Sequence, residues 1–309
     1  MKSKFYSLAL AAGMLSLTAC SDDNTNDSNN DKGNGIENGS TLKGTITEDV
    51  TLKAGNTYKL SGEYIVEAGA TLNIEEGVKI ISVYDNIVDY ILVKQGAKIN
   101  AVGTPDKPIV MTSEKEEPGA WGGIHICGKA HTNAEGGKGS SEIGGAVYGG
   151  NDDADNSGTL QYIRLEYTGF AFDEEHEANG ISFYGVGNGT IVDHCEAYKG
   201  SDDGFEFFGG SVNVSNMVVV SCSDDSFDWT EGWNGKGTDL VAYQEAKATL
   251  GYDCDCLIEA DNNENDNAAT PVSHPVLKNL ILAGNGESKQ GIRLRRGTQA
   301  DIDLSLIHI

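Results

Sequence analysis

The chain has few basic residues and few prolines. The first shortage restricts the partners that it can bind, and the second restricts the folds that it can adopt. Its 309 residues include 22 lysines and arginines against 47 aspartates and glutamates, which gives a formal net charge of −25. A protein with this charge is repelled by nucleic-acid phosphates and anionic surfaces, so we expect no nucleic-acid partner. Five prolines stand against 40 glycines. This balance suits many tight turns between short strands. The negative charge of the chain leaves cations and neutral glycans as the ligand classes that it can bind.

Several common catalytic and metal-binding patterns are also absent. The sequence has no sustained helical periodicity, no phosphate-binding loop, no dinucleotide fingerprint and no recognisable Ser/His/Asp triad. Besides Cys20, five cysteines have spacings that match no zinc pattern, and we expect buried strand thiols. These five are Cys127, Cys195, Cys222, Cys254 and Cys256.

The N-terminus has the features of an export signal. Two lysines precede an apolar run over residues 8–17, which is too short to span a bilayer. The motif Leu-Thr-Ala-Cys at 17–20 resembles the bacterial lipobox, and this implies that a signal peptide of residues 1–19 is removed and that Cys20 is lipidated. An ordinary secreted protein with a cysteine near its cleavage site is the alternative.

Residues 20–40 are expected to form a disordered tether, because Ile36 is their one large apolar side chain. The motif Ser-Asp-Asp at 21–23 resembles the acidic export tag of surface lipoproteins in Bacteroidota. The resemblance implies a lipid-anchored outer-membrane protein that faces the exterior.

The last six residues, 304–309, read Leu-Ser-Leu-Ile-His-Ile. They can be back-translated into a transposon end sequence that is used in library preparation. We therefore expect adaptor read-through at 304–309 and a natural chain that continues beyond Asp303. A genuine terminal strand is the alternative.

The strongest signal in the chain is a repeat of 22 residues. Segments 201–210 and 223–232 align so that carboxylates lie over carboxylates and large apolar side chains over large apolar side chains. A short fixed period of this kind indicates a β-solenoid with coils of about 22 residues plus loops. Further alignments occur at offsets of 27 (69–74 with 96–101), 24 (180–185 with 204–209) and 31 (Thr159-Leu160 with Thr190-Ile191), and a polar insertion spans 128–158.

Three sets of residues carry a family resemblance: 118–124, 149–158 and the two Ser-Asp-Asp segments at 201 and 223. With them, residues 41–303 resemble the pectin-lyase-like superfamily, in the branch found as bacterial surface lipoproteins. The resemblance implies an all-β, right-handed parallel β-helix. It leaves the function open, because this scaffold hosts lyases, hydrolases, adhesins and other proteins.

One outward column of side chains is the main candidate site. In each repeat, the residue between two inward apolar side chains must face the other way. Neighbouring strands lie ~4.8 Å apart, so two stacked carboxylates repel by roughly 1 kcal/mol in water unless a cation, a proton or an arginine offsets the repulsion. The column consists of Ser182, Glu206, Asp228, Glu259 and Arg293, and the pairs Asp202-Asp203 and Asp224-Asp225 precede it.

These carboxylates predict a Ca²⁺ site formed by the two aspartate pairs. A second candidate is the loop that begins Asp153-Ala-Asp155, whose pattern matches the start of a calcium loop. Arg164 stands where an EF-hand requires glutamate, so an EF-hand is excluded. A solvated acidic face and ordinary aspartate turns are the alternatives.

Aromatic side chains beside the column suggest a glycan platform. Tyr184 and Phe208 occupy a neighbouring outward position, and Trp233 and Tyr243 are expected in nearby loops. We therefore predict a calcium-assisted glycan-binding or surface-interaction protein. The expected binding residues are Glu206, Asp228, Glu259, Arg293, Tyr184, Phe208 and Trp233.

Two other function classes remain open. A polysaccharide lyase or glycoside hydrolase of the pectate-lyase or polygalacturonase type would use the same column, although the Gly-His-Gly element of polygalacturonases has no match. Its catalytic residues would be Asp202, Asp203, Glu206, Asp228 and Arg293. A structural or adhesive spacer is the third class.

Overall fold

A computed structural model describes residues 35–85, 87–173, 176–287, 290–303 and 305–308. The expected signal peptide, Cys20 and the tether up to residue 34 lie outside these ranges. Within them almost all of the regular secondary structure consists of short strands, as the glycine turns and alternating apolar residues predict. No helix in the described ranges has the length and apolar character needed to cross a membrane.

Twelve strands precede residue 150 in the described chain. They are β1 (Gly35–Ile36), β2 (Thr41–Ile46), β3 (Val50–Leu52), β4 (Thr57–Val66), β5 (Thr71–Ile74), β6 (Lys79–Ser82), β7 (Tyr90–Val93), β8 (Lys98–Val102), β9 (Ile109–Ser113), β10 (Ile124–Cys127), β11 (Gly139–Ser140) and β12 (Val147–Tyr148). A 3-10 turn at Glu135–Gly137 lies before β11.

Fourteen more described strands follow. They are β13 (Gly158–Glu166), β14 (Ala171–Asp173), β15 (His176–Glu177), β16 (Ile181–Tyr184), β17 (Ile191–Tyr198), β18 (Phe205–Phe208), β19 (Asn213–Val220), β20 (Phe227–Thr230), β21 (Lys236–Tyr243), β22 (Ile258–Ala260), β23 (Val276–Ala283), β24 (Ile292–Leu294), β25 (Asp301–Asp303) and β26 (Leu306–His308). One short helix, α1 (Lys247–Leu250), lies between β21 and β22.

Twenty-two of the described strands pair in parallel, coil upon coil. They form three faces, of which sheet 1 carries the candidate site. Sheet 1 contains β7, β10, β16, β18, β20, β22 and β24, together with the second halves of β2 and β4. This architecture confirms the predicted right-handed parallel β-helix.

The other two faces are joined by a bend within single strands. β13, β17, β19, β21 and β23 each pass from one face to the next at a residue with φ between 52° and 58°. Asparagine, aspartate and histidine tolerate this left-handed conformation better than most residues. The five bend residues are Tyr162, His194, Asn216, Asp239 and Asn279.

The strand register confirms most of the sequence alignments. Phe205 lies opposite Phe227, as the 22-residue period predicts, and the offsets of 24 and 27 are also those of the paired strands. The offset of 31 is wrong by one residue, because Thr159 lies opposite Ile191. A one-residue slip would place the exposed Ile191 in the interior in place of Val192, which is 2% exposed.

Aromatic rings stack along the interior of the coils. Phe183 and Phe207 have ring centroids 5.1 Å apart, and Phe207 and Trp233 4.1 Å apart. Trp233 is therefore a core residue, 1% exposed, and the prediction that it contacts a glycan is wrong. The five cysteines in the described ranges are buried, as expected, and all five are free.

Strands occur at both ends of the described range. β1 pairs with β3, so coil structure begins before residue 41, and β26 pairs with the second half of β23. Adaptor read-through at 304–309 stays a prediction, since strand pairing is independent of where a sequence comes from.

Candidate functional site

The outward column forms as the repeat predicts. Ser182 lies opposite Glu206, Glu206 opposite Asp228, and Glu259 opposite Arg293 on sheet 1. Towards the N-terminus the same column continues through His125, which lies opposite Ser182. Burial lowers the pKa of His125 to about 4, so this side chain is neutral at pH 7.

The two aspartate pairs lie directly before the column and stack on each other. The backbone N–H of Asp225 donates to Asp203 Oδ1 at 2.8 Å, and that of Cys256 donates to Asp225 Oδ1 at 2.6 Å. Carboxylates are thus held above one another by the backbone of the next coil. We call the resulting set the acidic column: Asp202, Asp203, Glu206, Asp224, Asp225, Asp228 and Glu259.

Oxygen atoms of the acidic column lie close enough together to share a cation. Within each of three groups, one oxygen per residue lies within 4.8 Å of the others. Because the groups share members, the acids form one continuous set of ligand atoms along the coils. The groups are Asp202/Asp203/Asp224, Asp203/Glu206/Asp228 and Asp225/Asp228/Glu259.

Burial makes the negative charges of this column unfavourable. Burial, followed by the charges of Glu142 and Asp228, raises the pKa of Glu206 well above its usual range. Burial and neighbouring carboxylates raise the pKa of Asp225 to about 9. The same causes raise the pKa values of Asp202, Asp203 and Asp228. In this environment an added cation would favour the ionised carboxylates.

Asp228 has the least satisfied carboxylate of the column. Its Oδ1 atom is buried and has no hydrogen-bond partner among the described residues. A buried acceptor without a partner loses its hydration without compensation. The neighbouring carboxylate of Glu206 does have a hydrogen-bond partner, because Asn179 Nδ2 donates to Glu206 Oε2 at 2.6 Å.

Arginines close the C-terminal end of the column. Arg293 Nη1 lies 2.8 Å from Glu259 Oε1, and Arg295 contacts both Glu259 and Asp261. Burial lowers the pKa of Arg295, but hydrogen bonds and charge from Asp261 raise it overall. These arginines are therefore held as cations, which makes them poor bases for a lyase reaction.

The aromatic side chains that were expected to form a glycan platform are buried. Tyr184 and Phe208 point outward from sheet 1, but they are 0% and 7% exposed. The insertion covers them, and its Tyr148 packs on Tyr184 with ring centroids 5.1 Å apart. The prediction that Tyr184 and Phe208 stack on a glycan is therefore wrong, whereas Tyr243 is 49% exposed.

The loop at Asp153 and Asp155 does not gather with a third ligand residue in the described structure. Asp153 Oδ1 accepts from His131 Nδ1 at 2.6 Å, and Asp155 Oδ2 accepts from Ser157 Oγ at 3.3 Å. These contacts favour the turn alternative over a calcium loop.

Two residues of the site were not identified from the sequence. Asn179 links the column by donating to Ser182 Oγ and Glu206 and by accepting from the N–H of Asp203. Glu142 comes from the insertion and contributes its charge to the column. These residues lie in connections of irregular length, where no repeat marks their position.

Comparison with known proteins identifies the domain type. The model of a pectate-lyase-like β-helix domain matches residues 44–308. No curated protein and no solved structure matches the chain.

Proposed function

The chain belongs to the pectate-lyase-like β-helix family, and we propose that it is a calcium-dependent glycan-binding protein at the cell surface. The observation that carries the proposal is the buried, unpartnered Oδ1 atom of Asp228 inside a continuous set of carboxylates. A cation at this point would supply the missing partner and offset the repulsion between stacked acids.

The ligand chemistry favours calcium among common cations. The two groups that contain Asp228 offer only carboxylate oxygens, which suit hard cations. Calcium accepts six to eight oxygen ligands in flexible geometry, so it tolerates ligands that are set by strand spacing. Magnesium demands a nearly ideal octahedron, which rigid coils meet less easily.

A glycan is the proposed partner of the bound ion. Glu206 and Asp228 are half-buried, so part of each residue remains accessible to a ligand from solvent, although Asp228 Oδ1 itself is buried. Sugar hydroxyls can complete the coordination of calcium, and a neutral glycan avoids repulsion by a chain of net charge −25. Lipidation of Cys20 and exposure on the outer membrane belong to the same proposal and rest on the sequence.

A glycoside hydrolase is the second candidate. Glu206 and Asp228 are adjacent carboxyls whose pKa values are raised, which is what a general acid in such an enzyme requires. A lyase has less support, because the arginines that could act as a base are paired with acids.

The test combines calcium titration with glycan binding and product assays on the full chain. We expect Ca²⁺ to bind, and glycan-array signals to disappear with EDTA and in the Glu206→Gln/Asp228→Asn variant. Glu37→Gln/Glu48→Gln removes two exposed carboxylates far along the chain and serves as the control of equal charge. Absence of calcium binding would refute the proposal, and release of reducing ends would favour the hydrolase.

A further inference from the structure

A pocket separate from the acidic column lies on the molecule. It has a volume of about 760 Å³, which is within the range of small-molecule sites. It opens between the β4–β7 coils and the insertion. Its walls include Glu63, Ile87, Val88, Tyr90, Glu142 and Ile143.

Buried hydrogen bonds fix the wall that carries Ile87 and Val88. Asp89 is 1% exposed, and its carboxylate accepts the backbone N–H of Gly62 at 2.5 Å and that of Val83 at 3.0 Å. Asp85 accepts from Ser61 Oγ at 2.8 Å on the outer side. The apolar side chains are thus held beside β4 by the fold.

The pocket combines apolar walls with carboxylates. Tyr90 Oη donates to Glu63 Oε2 at 3.0 Å, which orients that carboxylate in the wall. Glu142 Oε2 accepts from Tyr184 Oη at 3.3 Å. No lysine or arginine belongs to the described lining, in which His176 is the one basic residue.

We propose that this pocket binds organic cations, specifically primary alkylammonium groups. The ammonium group is taken by the carboxylates of Glu63 and Glu142, and its carbon chain packs against Ile87, Val88 and Ile143. An inorganic cation would gain nothing from the apolar walls. A neutral alcohol would leave the carboxylates without a counter-charge, and an anion would be repelled.

The surroundings of Glu142 add a pH signature to this binding. Its carboxyl faces the Tyr184 hydroxyl, His176, Glu177 and Glu231, and it interacts with Glu206 and Asp202 of the acidic column. Burial, with the charges of the neighbouring acids, raises the pKa of Glu142 to about 7. A bound ammonium favours the ionised form, so affinity should rise as the pH increases through 7.

Calorimetric titration with pentylamine tests the inference, and pentan-1-ol serves as the neutral probe of the same length. At about 0.15 M salt, where surface charges are screened, we expect one pentylamine site and no pentan-1-ol binding. Glu142→Gln keeps an acceptor for Tyr184 and should weaken pentylamine binding about tenfold. Glu48→Gln, which changes an exposed carboxylate elsewhere, should leave it unchanged.

A series from ethylamine to pentylamine tests the apolar wall separately. Each added CH₂ should improve affinity roughly fourfold, and Ile87→Ser should flatten that dependence. Binding should persist in EDTA and in Glu206→Gln/Asp228→Asn, which separates it from the proposed calcium site. Equal binding of pentan-1-ol, no binding at millimolar amine, or no effect of both Glu63→Gln and Glu142→Gln would overturn the inference.

Discussion

The N-terminal and C-terminal coils use the same face of sheet 1 in opposite ways. In the N-terminal coils the outward column contains Ile65 and Leu92, which lie opposite each other. In the C-terminal coils the equivalent positions are Glu206 and Asp228, with the same parallel pairing. The β-helix therefore does not require acids at this position.

The N-terminal coils and the acidic column also differ in what their carboxylates contact. In the N-terminal coils, carboxylates pair with lysines of a neighbouring coil, as in Glu76 with Lys107 at 2.7 Å and Glu67 with Lys94 at 2.5 Å. In the acidic column carboxylates stack on carboxylates instead, except at Glu259, which pairs with arginines. The first arrangement is electrostatically self-sufficient, whereas the second needs a proton or a cation.

The largest effect on stability is expected from removing an apolar side chain of the outward column in the N-terminal coils. Leu92→Ala should destabilise the protein by about 2–5 kcal/mol, because Leu92 is 0% exposed beneath the insertion. Thermal unfolding should show a Tm lower by roughly 5 °C or more. A change below about 1 kcal/mol would mean that the insertion does not pack on this column.

The next largest effect is expected in the pH dependence of stability, which should reflect the buried carboxyls of the acidic column. The folded-state pKa of Asp225 is raised to about 9 from 3.8, so the folded protein binds more protons than the unfolded chain between these values. Stability of the calcium-free protein should therefore fall as the pH rises from 5 to 9, with a Tm loss of about 5 °C. Added Ca²⁺ should reduce the loss, and a Tm that rises over this range would contradict the assigned burial of charge.

Neutralising the acidic column should have a smaller effect of opposite sign. At pH 9 without calcium, Glu206→Gln/Asp228→Asn should raise the Tm by about 2–4 °C, because it removes repulsion of roughly 1 kcal/mol or more. The same variant should lose any stabilisation by Ca²⁺. The Glu37→Gln/Glu48→Gln control should show neither change, and a lower Tm in the column variant would indicate that the stacked acids stabilise the fold.

The smallest effect is expected at the exposed ion pairs of the N-terminal coils. Lys107→Gln breaks the pair with Glu76, whose side chains are 62% and 37% exposed. Such pairs contribute about 0–1 kcal/mol, so the Tm should change by no more than about 2–3 °C. A larger loss would show that pairing between coils matters more than interior packing in this region.

The repeat made the fold and the acidic column predictable from sequence. Alternation places Glu206 outward between two apolar side chains, and the 22-residue period places it beside Asp228. Both rules act locally, so they need no knowledge of the rest of the chain. The period failed at Thr159 and Ile191, because an irregular loop between those coils hides a one-residue shift.

The sequence did not predict that the insertion packs over the outward side chains of sheet 1. Tyr184 and Phe208 face outward as alternation requires, but only the path of the insertion determines that Tyr148 covers them. The insertion has no repeat and few apolar residues, so neither its fold nor the position of Glu142 follows from periodicity. Contacts of this kind depend on residues that are distant in sequence.

The left-handed bends at Asn216 and Asp239 have a consequence for the opposite side of the molecule. At each bend the chain turns from one of the other two faces to the next before it re-enters sheet 1. We therefore expect the vertical alignment of the acids to depend on these bends as well as on the register of sheet 1. A β-branched residue at one corner, as in Asn216→Val, would rotate one winding relative to the next and misalign the carboxylates from a distance.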